Sequence, residues 1–372
     1  MILIKHISLD AKKYTIYEAD EDKSVNEMKH CLGVSDLAVD SLIVPTKVKL
    51  ESTTTCEVCD AWHVEALDYE SLPQKYSGQG ITIAVIDSGV EFNHPALSEN
   101  MWINKDEIPS NGIDDDNNGF VDDVHGFNFH LNNADIIDTG GHGTHVAGII
   151  AAKPGPHNAQ GIAPSARIMA VKIRGNSEDS FVSQAVEAIK YSVDNGADIV
   201  QISWVFEDVY VSELVLNMFF DAIDYAQNRG VIIVAAAGNL GVNLDTVTWS
   251  NFYPAMLSDR KYLVSVASSN REGDPAWGCG GTNTGEINVL FAAPGCEITS
   301  TYVNGKWGVM SGSSMAAPIV SGILARSLSM GLSPHAAIKL LSTTSDIDNS
   351  WKGNVGSGGV INANRNLDTV IE

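Results

Sequence analysis

Residues 81–89 read ITIAVIDSG, a short apolar run rich in β-branched side chains that stops at Asp87-Ser88-Gly89. A run this brief, closed by turn-forming residues, reads as a buried strand. Outward from it the same unit recurs. HVAGIIAAK is followed by the strand-like ARIMAVKI, FVSQAVEAIKYSVDNG by ADIVQIS, and LVLNMFFDAIDYAQNRG by VIIVAAAGN; YLVSVAS and a final helical stretch, MAAPIVSGILARSL, complete the series. Short apolar strands alternating with amphipathic helices predict an α/β fold: a doubly wound, mostly parallel sheet with helices on both faces. Ligands of such sheets bind beyond the carboxyl ends of the strands, so Asp87, at the end of the first one, is a candidate functional residue.

The bulk composition agrees with a soluble globular chain. Its 372 residues are 44% hydrophobic and 19% charged, enough for one large core and a small accessory segment. Twenty-three basic against 46 acidic residues give a formal charge of −23, which argues against nucleic acid or an anionic membrane as partner and suits cationic substrates or divalent metals. The N-terminal MILIKHISLDAKKYTIYEADEDK lacks the apolar core and cleavage site of a secretory signal, so the expected location is cytoplasmic, or secreted if a leader has been removed. Five cysteines are compatible with reduced thiols, although Cys279 and Cys296 could pair in an exported protein. Cys56 and Cys59 have CxxC spacing, but no second ligand pair follows to complete a zinc site. Residues 1 to about 60 differ in character, with a possible hairpin (MILIKHISL, KYTIYEA), a helical stretch (SVNEMKHCLG) and the polar TTTCEVCD, and read as a small N-terminal α+β segment with a linker.

Two further stretches carry chemistry. Thr139–Gly148, TGGHGTHVAG, places His142 among glycines that allow close approach. Residues 308–318, GVMSGSSMAAP, put Ser314 where a helix over Met315–Ser327 should begin, with Pro318 in its first turn. Taken alone, each has a plain structural reading: a turn-forming Asp, a core His, a tight turn of small residues. Together, Asp, His and Ser in that order supply what an acyl-transfer triad requires.

With these residues in view, the chain resembles the subtilase family of serine endopeptidases. IAVIDSGVEFNHPAL, GHGTHVAGIIAA, GIAPSARIMAVKI, GADIVQIS, VIIVAAAGN, FAAPG and SGSSMAAP fall in the family's order over roughly residues 60 to 367. The resemblance implies Ser314 as nucleophile, His142 as general base and then acid, and Asp87 as the group that orients His142 and stabilises its imidazolium. It implies Asn239 as oxyanion donor, and Ala236, Gly238 and Ser203 as part of the substrate cleft. His145 competes for the base role, but the motif assigns the first histidine. Ser313, where the family usually has threonine, offers a rival nucleophile one residue early.

The chain departs from the pattern at the cleft. Ser203-Trp204-Val205-Phe206 stands where many subtilases have Ser-Leu-Gly-Gly, which predicts either side chains that narrow or reshape the pocket and restrict specificity, or a local rearrangement of the loop. Glu178-Asp179-Ser180 replaces a frequent Gly-Ser-Gly edge and predicts a preference for basic residues ahead of the cut.

NGIDDDNNGFVDDVHGFNF, between Asp87 and His142, spaces Asp114, Asp116 and Asn118 alternately, turns at Gly119 and continues through Phe120 to Asp122 and Asp123, like part of an EF-hand loop. This predicts structural calcium held by Asp114, Asp116, Asn118, the Phe120 carbonyl, Asp122 and Asp123, an expectation the resemblance strengthens. Residues 1–60 occupy the place of a subtilase propeptide and 61–372 that of the catalytic domain, so the chain's own N-terminal segment is a candidate inhibitor beside the protein or peptide substrate. The alternatives are a precursor-processing protease or transpeptidase with the same residues, and a catalytically silent peptide-binding homologue.

Overall fold

The computed structural model describes residues 2–10, 12–19, 42–43, 60–175, 180–207, 211–257 and 259–371. Strands β1 (Ile2–Leu9) and β2 (Lys12–Ala19) form the expected antiparallel hairpin, and β3 (Leu42–Ile43) and helix α1 (Trp62–Ala66) lead toward the main body. The helix expected over residues 24–33 and the CxxC pair lie outside the described residues.

The body is built on β4 (Thr82–Asp87), β5 (Gly126–Asn128), α2 (His142–Ala151), β6 (Arg167–Lys172), β7 (Ser180–Phe181), α3 (Val182–Asp194), β8 (Ile199–Ile202), β9 (Phe206–Glu207), α4 (Glu213–Asn228) and β10 (Ile232–Ala236). It continues through β11 (Phe252–Tyr253), β12 (Leu263–Ser269), β13 (Phe291–Pro294), the hairpin β14 (Ile298–Tyr302) and β15 (Lys306–Met310), then α5 (Ser313–Ser329), α6 (Pro334–Thr344), β16 (Asp346–Ile347), β17 (Gly359–Val360) and α7 (Ala363–Ile371). Nine strands make one sheet in the order β16-β17-β13-β12-β10-β8-β4-β6-β5, parallel except where β16 meets β17. The expected α/β fold is the one observed.

Period-two burial shows why both faces need helices. In β4, Ile83 and Val85 join α2 and α5 residues such as Val146, Ile150, Met315 and Ile319 in one core. Ala84 and Ile86 join α3 and α4 residues such as Val186, Ile189, Phe219 and Ile223 in the other. Chain order runs from β4 outward through β5 and β6, then returns to β8 on the opposite flank. The carboxyl ends of β4 and β8 therefore border a topological switch point.

The N-terminal hairpin rests on α4: Ile7 and Leu9 are buried in the second core, and Asp10 pairs with Arg229 at 2.8 Å. β3 lies antiparallel to β7, with Leu42 opposite Phe181 and Ile43 opposite Ser180. Among the described residues no helix is long and apolar enough to cross a membrane.

Trp204 departs from expectation. Its side chain is wholly buried in the α3–α4 core, and Nε1 donates to the carbonyl of Ile86 at 2.9 Å. The indole thus braces β4 one residue before Asp87 instead of filling a cleft. Replacing it with alanine should cost about 3–5 kcal/mol of stability. Urea unfolding of Trp204→Ala beside the parent checks this, and an unchanged midpoint would show that the indole contributes no core packing.

Candidate active site

Asp87 ends the central strand with no solvent exposure. Its Oδ1 accepts from the Ser88 N–H at 2.7 Å, from His142 Nδ1 at 2.8 Å and from Arg174 Nη2 at 3.1 Å, while Oδ2 lies 2.8 Å from the same histidine nitrogen. Burial would raise the pKa of this carboxyl, but the histidine, the guanidinium and the Ser88 amide outweigh it and hold the pKa at about 2. Asp87 is therefore an acceptor only, so His142 carries its proton on Nδ1 and offers Nε2 as base. Nε2 is buried and has no hydrogen-bond partner among the described residues.

The placement of His142 follows from its neighbours. It opens α2, and a Cβ at Gly143 would stand 2.1 Å from the carbonyl oxygen of Gly89, so only glycine lets the first helical turn lie on the Asp87–Gly89 turn. Buried Asp138 secures the helix start. It accepts from the amides of Gly140, Gly141 and Thr144 and from the Ser88 hydroxyl, whose oxygen in turn accepts from the Gly143 amide. His145 points away into the body, with Nε2 3.0 Å from the carbonyl of Ile298. Its environment is structural, as the motif assigns.

Helix α5 starts at Ser313, two residues before the expected boundary. Pro318 consequently falls inside the helix, and its missing N–H leaves the Ser314 carbonyl without a helical donor. Ser203 supplies one: its hydroxyl donates to that carbonyl at 2.9 Å, and the Ser314 hydroxyl donates back to the Ser203 carbonyl at 2.9 Å. The Ser314 hydroxyl thus points along the end of β8 in this conformation.

Ser313 is committed elsewhere. Its N–H and hydroxyl each donate to Asn239 Oδ1 at 2.8 Å, and its oxygen accepts from the Gly238 amide at 3.0 Å. This fixes the amide of Asn239, whose Nδ2 would lie 2.8 Å from a Cβ at Gly312, a residue with φ of 141°. Serine and asparagine therefore meet at the first turn of α5 with the amide nitrogen turned toward the Gly312–Ser314 corner.

Several expected cleft residues sit differently. Ala236 is wholly buried in the α2–α5 core, so, like Trp204, it lines no surface a substrate reaches. Val205 does approach the corner: its Cγ2 is 3.6 Å from a Cβ built on Gly238. Ser180 is buried, its hydroxyl donating to Gln184 Oε1 at 2.9 Å at the start of α3, and its strand is paired with β3. Glu178 and Asp179 lie outside the described residues.

Cys279 and Cys296 form a disulfide with Cα atoms 5.6 Å apart, the pairing that the sequence left open. The loop it closes carries Asn283, which donates to the Ala237 carbonyl at 2.9 Å and accepts from the Leu240 amide at 2.9 Å, clamping the turn that bears Asn239.

The acidic loop gathers fewer ligands than its spacing predicts. Asp114 and Asp116 converge with Glu107, a residue outside the motif, with carboxylate oxygens within 4.8 Å of one another. Asp122 turns to the amides of Asn111 and Gly112, and Asp123 is buried against the Tyr191 hydroxyl at 2.6 Å. Asn118 Nδ2 donates to Asp116 and Asp123, so its amide nitrogen braces the carboxylates, and its Oδ1 accepts from the Phe120 amide. The Phe120 ring packs on Phe127, Phe129 and Tyr191 and anchors the loop. Sequence reasoning missed Glu107, Asp138 and Arg174. Only Asp138, four residues ahead of His142 before a glycine pair, carried a local signal, that of a helix-capping side chain.

The chain resembles known proteins in sequence and in fold. Residues 78–359 match the subtilase family of peptidases. Subtilisin-like protease 1 of Plasmodium berghei is 29% identical over 293 residues, covering 75% of this chain and 48% of that protein. The minor extracellular protease Epr of Bacillus subtilis is 30% identical over 320 residues, covering 86% and 42%. The chain thus spans about half the length of the curated relatives it matches. Among solved structures, the epidermin leader peptide processing serine protease of Staphylococcus aureus superposes with a TM-score of 0.75 at 21% identity, covering 99% of this chain and 94% of that one. A cold adapted subtilisin-like serine proteinase gives 0.60 at 25% identity, covering 82% and 96%.

Two buried histidines tie stability to pH. Burial lowers His63 to about 4 and His145 to about 3, so both are neutral when folded and take up protons on unfolding below about 6.5. Their contribution is complete above pH 6.5 and is lost as pH falls toward 4 for His63 and toward 3 for His145, by about 2 kcal/mol each at pH 5. Urea midpoints at pH 7 and pH 5 should show this loss, and His63→Leu should show a smaller one. Equal loss in parent and variant would dismiss His63 as a contributor.

Proposed function

This chain belongs to the subtilase family, and from that premise we propose that it is a serine endopeptidase working through Asp87, His142, Ser314 and Asn239. The observation that carries the reading is the pairing of His142 Nδ1 with a fully buried Asp87 while Asn239 is held by Ser313 at the start of α5. Rotation of the Ser314 hydroxyl from the Ser203 carbonyl to His142 Nε2 would complete the triad; such hydrogen bonds commonly tighten only with substrate bound. Nε2 then takes the hydroxyl proton as Oγ attacks the peptide carbonyl, and passes it to the leaving amine. Water attacks the acyl-enzyme by the same route in reverse and restores Ser314. Asp87 stabilises the imidazolium, and Asn239 Nδ2 with the amides at the helix start receives the oxyanion.

The substrate enters as an extended strand in this reading. Support comes from β3, an N-terminal segment of the same chain that pairs with the β7 edge and thereby models both an inhibitor and a peptide ligand. Val205, a side chain close to Gly238, supports a reading of restricted specificity, in keeping with the leader peptide processing named for the Staphylococcus aureus neighbour. The disulfide supports the exported location over the cytoplasmic one. A second reading, peptide binding without turnover, draws on the burial of Ser314 and its bond to Ser203.

A fluorophosphonate probe separates the two: it should label Ser314, and His142→Ala should abolish labelling. No adduct, with or without residues 1–60, would favour the binding protein. Asn239→Ala should lower kcat by on the order of 10²–10³ with KM little changed, the magnitude known for removing such a donor in subtilisin.

Glu107, Asp114 and Asp116 present hard oxygen ligands suited to calcium, which would neutralise their mutual repulsion and fix the loop. Calcium should raise the melting temperature by several degrees, and Asp114→Ala with Asp116→Ala should remove the effect. Identical melting with calcium and with chelator would rule the site out.

A further inference from the structure

We propose that Arg174 is a positioning residue of the triad that extends activity toward acid pH, by sharing the Asp87 carboxylate with His142. The proposal rests on the serine-endopeptidase reading. Lys172, the last residue of β6, is paired with Asp87 across the sheet, and the Ile173 amide donates to the Asp87 carbonyl at 2.9 Å. The chain therefore delivers the next side chain, Arg174, onto the carboxylate. Nη2 meets Oδ1 at 3.1 Å, with the arginine side chain 10% exposed and the aspartate 1%. Arg174 Nε is buried with no hydrogen-bond partner among the described residues, so the carboxylate is the contact that accounts for this placement.

A guanidinium stays protonated throughout the working range. Oδ1 already accepts from Ser88 and His142; the third donor limits rotation of the carboxylate and keeps Oδ2 on Nδ1. The fixed cation also divides the field that would stabilise an imidazolium. Neutralising this cation leaves the Asp87 charge to His142 alone, and the acid limb of activity reads the difference between the charged and neutral variants.

The other groups around His142 do not supply this effect. His145, one turn along α2, is neutral, with a value of about 3. Asp138 is occupied by the amides of Gly140, Gly141 and Thr144. Lys172 reaches the Ile137 carbonyl, and the Tyr302 hydroxyl donates to the Gly140 carbonyl. Among the described residues Arg174 is the one cation besides His142 paired with Asp87.

The test is the pH dependence of kcat/KM on one peptide substrate for the full chain and for Arg174→Lys, Arg174→Gln and Arg174→Met. Lysine keeps the charge, glutamine a donor and methionine the volume, so a folding failure in one neutral variant leaves the other, and melting temperatures are recorded for all. In the glutamine and methionine variants the acid limb should move up by about one pH unit, a roughly tenfold loss on the acid side, with the alkaline plateau kept within about twofold. Arg174→Lys should retain the parental limb. Coincident limbs in parent and neutral variants would overturn the proposal and leave Arg174 a packing residue. A parent with neither turnover nor fluorophosphonate labelling would instead overturn the endopeptidase reading, and this inference with it.

Discussion

A carboxylate without access to water ends the central strand, and much of the surrounding structure exists to make that tolerable. An unpaired buried charge costs several kcal/mol, and removing one partner of a buried pair is strongly destabilising. Asp87 is compensated by a backbone amide, an imidazole and a guanidinium, each from a different part of the chain. Meeting that requirement fixes where α2 begins, which is why Gly143 lies on Gly89 and why Asp138 is spent on helix amides. It also fixes how β6 exits, since Lys172 must align with Asp87 before Arg174 can reach it. The charge is therefore a constraint on topology as well as a group with chemistry.

The second constraint is a backbone vacancy made by proline. Because Pro318 donates no N–H, the Ser314 carbonyl needs another donor, and Ser203 at the end of β8 provides it while accepting the Ser314 hydroxyl. A helix-breaking residue thus stitches the start of α5 to the sheet edge. Ser313 performs a parallel task toward β10 by holding Asn239. Both adjacent serines are engaged, yet differently. Ser313 makes contacts that lock a neighbouring side chain, whereas the Ser314 hydroxyl makes a single bond, to the Ser203 carbonyl.

What could be read in the sequence follows from the range of each interaction. Strands such as ITIAVID and VIIVAAAGN were legible because burial on both faces demands continuous apolar runs, and Asp87, His142 and Ser314 stood out as candidates because they sit at a strand end and at helix starts with glycine around them. The fate of Trp204 was not, since an indole after a strand looks the same whether it enters a cleft or the core, and only the Ile86 carbonyl decides. Glu107 escaped for a similar reason: it lies seven residues before Asp114, beyond the spacing of any local ligand motif. Arg174 was illegible as well, because its partner is 87 positions away and the pairing depends on strand register.

The fold brings these parts together through one geometric property. In a parallel sheet every strand ends at the same edge, and the helices that follow begin there. β4, β8 and β10 accordingly lead to Asp87, Ser203 and Asn239 on one rim, while α2 and α5, packed on the same face, start on that rim with His142 and Ser314. Helix N-termini carry unpaired amides and a partial positive charge, suited to negative charge developing on a substrate oxygen. Strand ends supply the anchored carboxylate and carbonyl groups that orient the side chains opposite. The sheet therefore fixes acceptors and donors against each other before any ligand arrives, and the disulfide-closed loop through Asn283 keeps the most exposed of these turns in register with the rest.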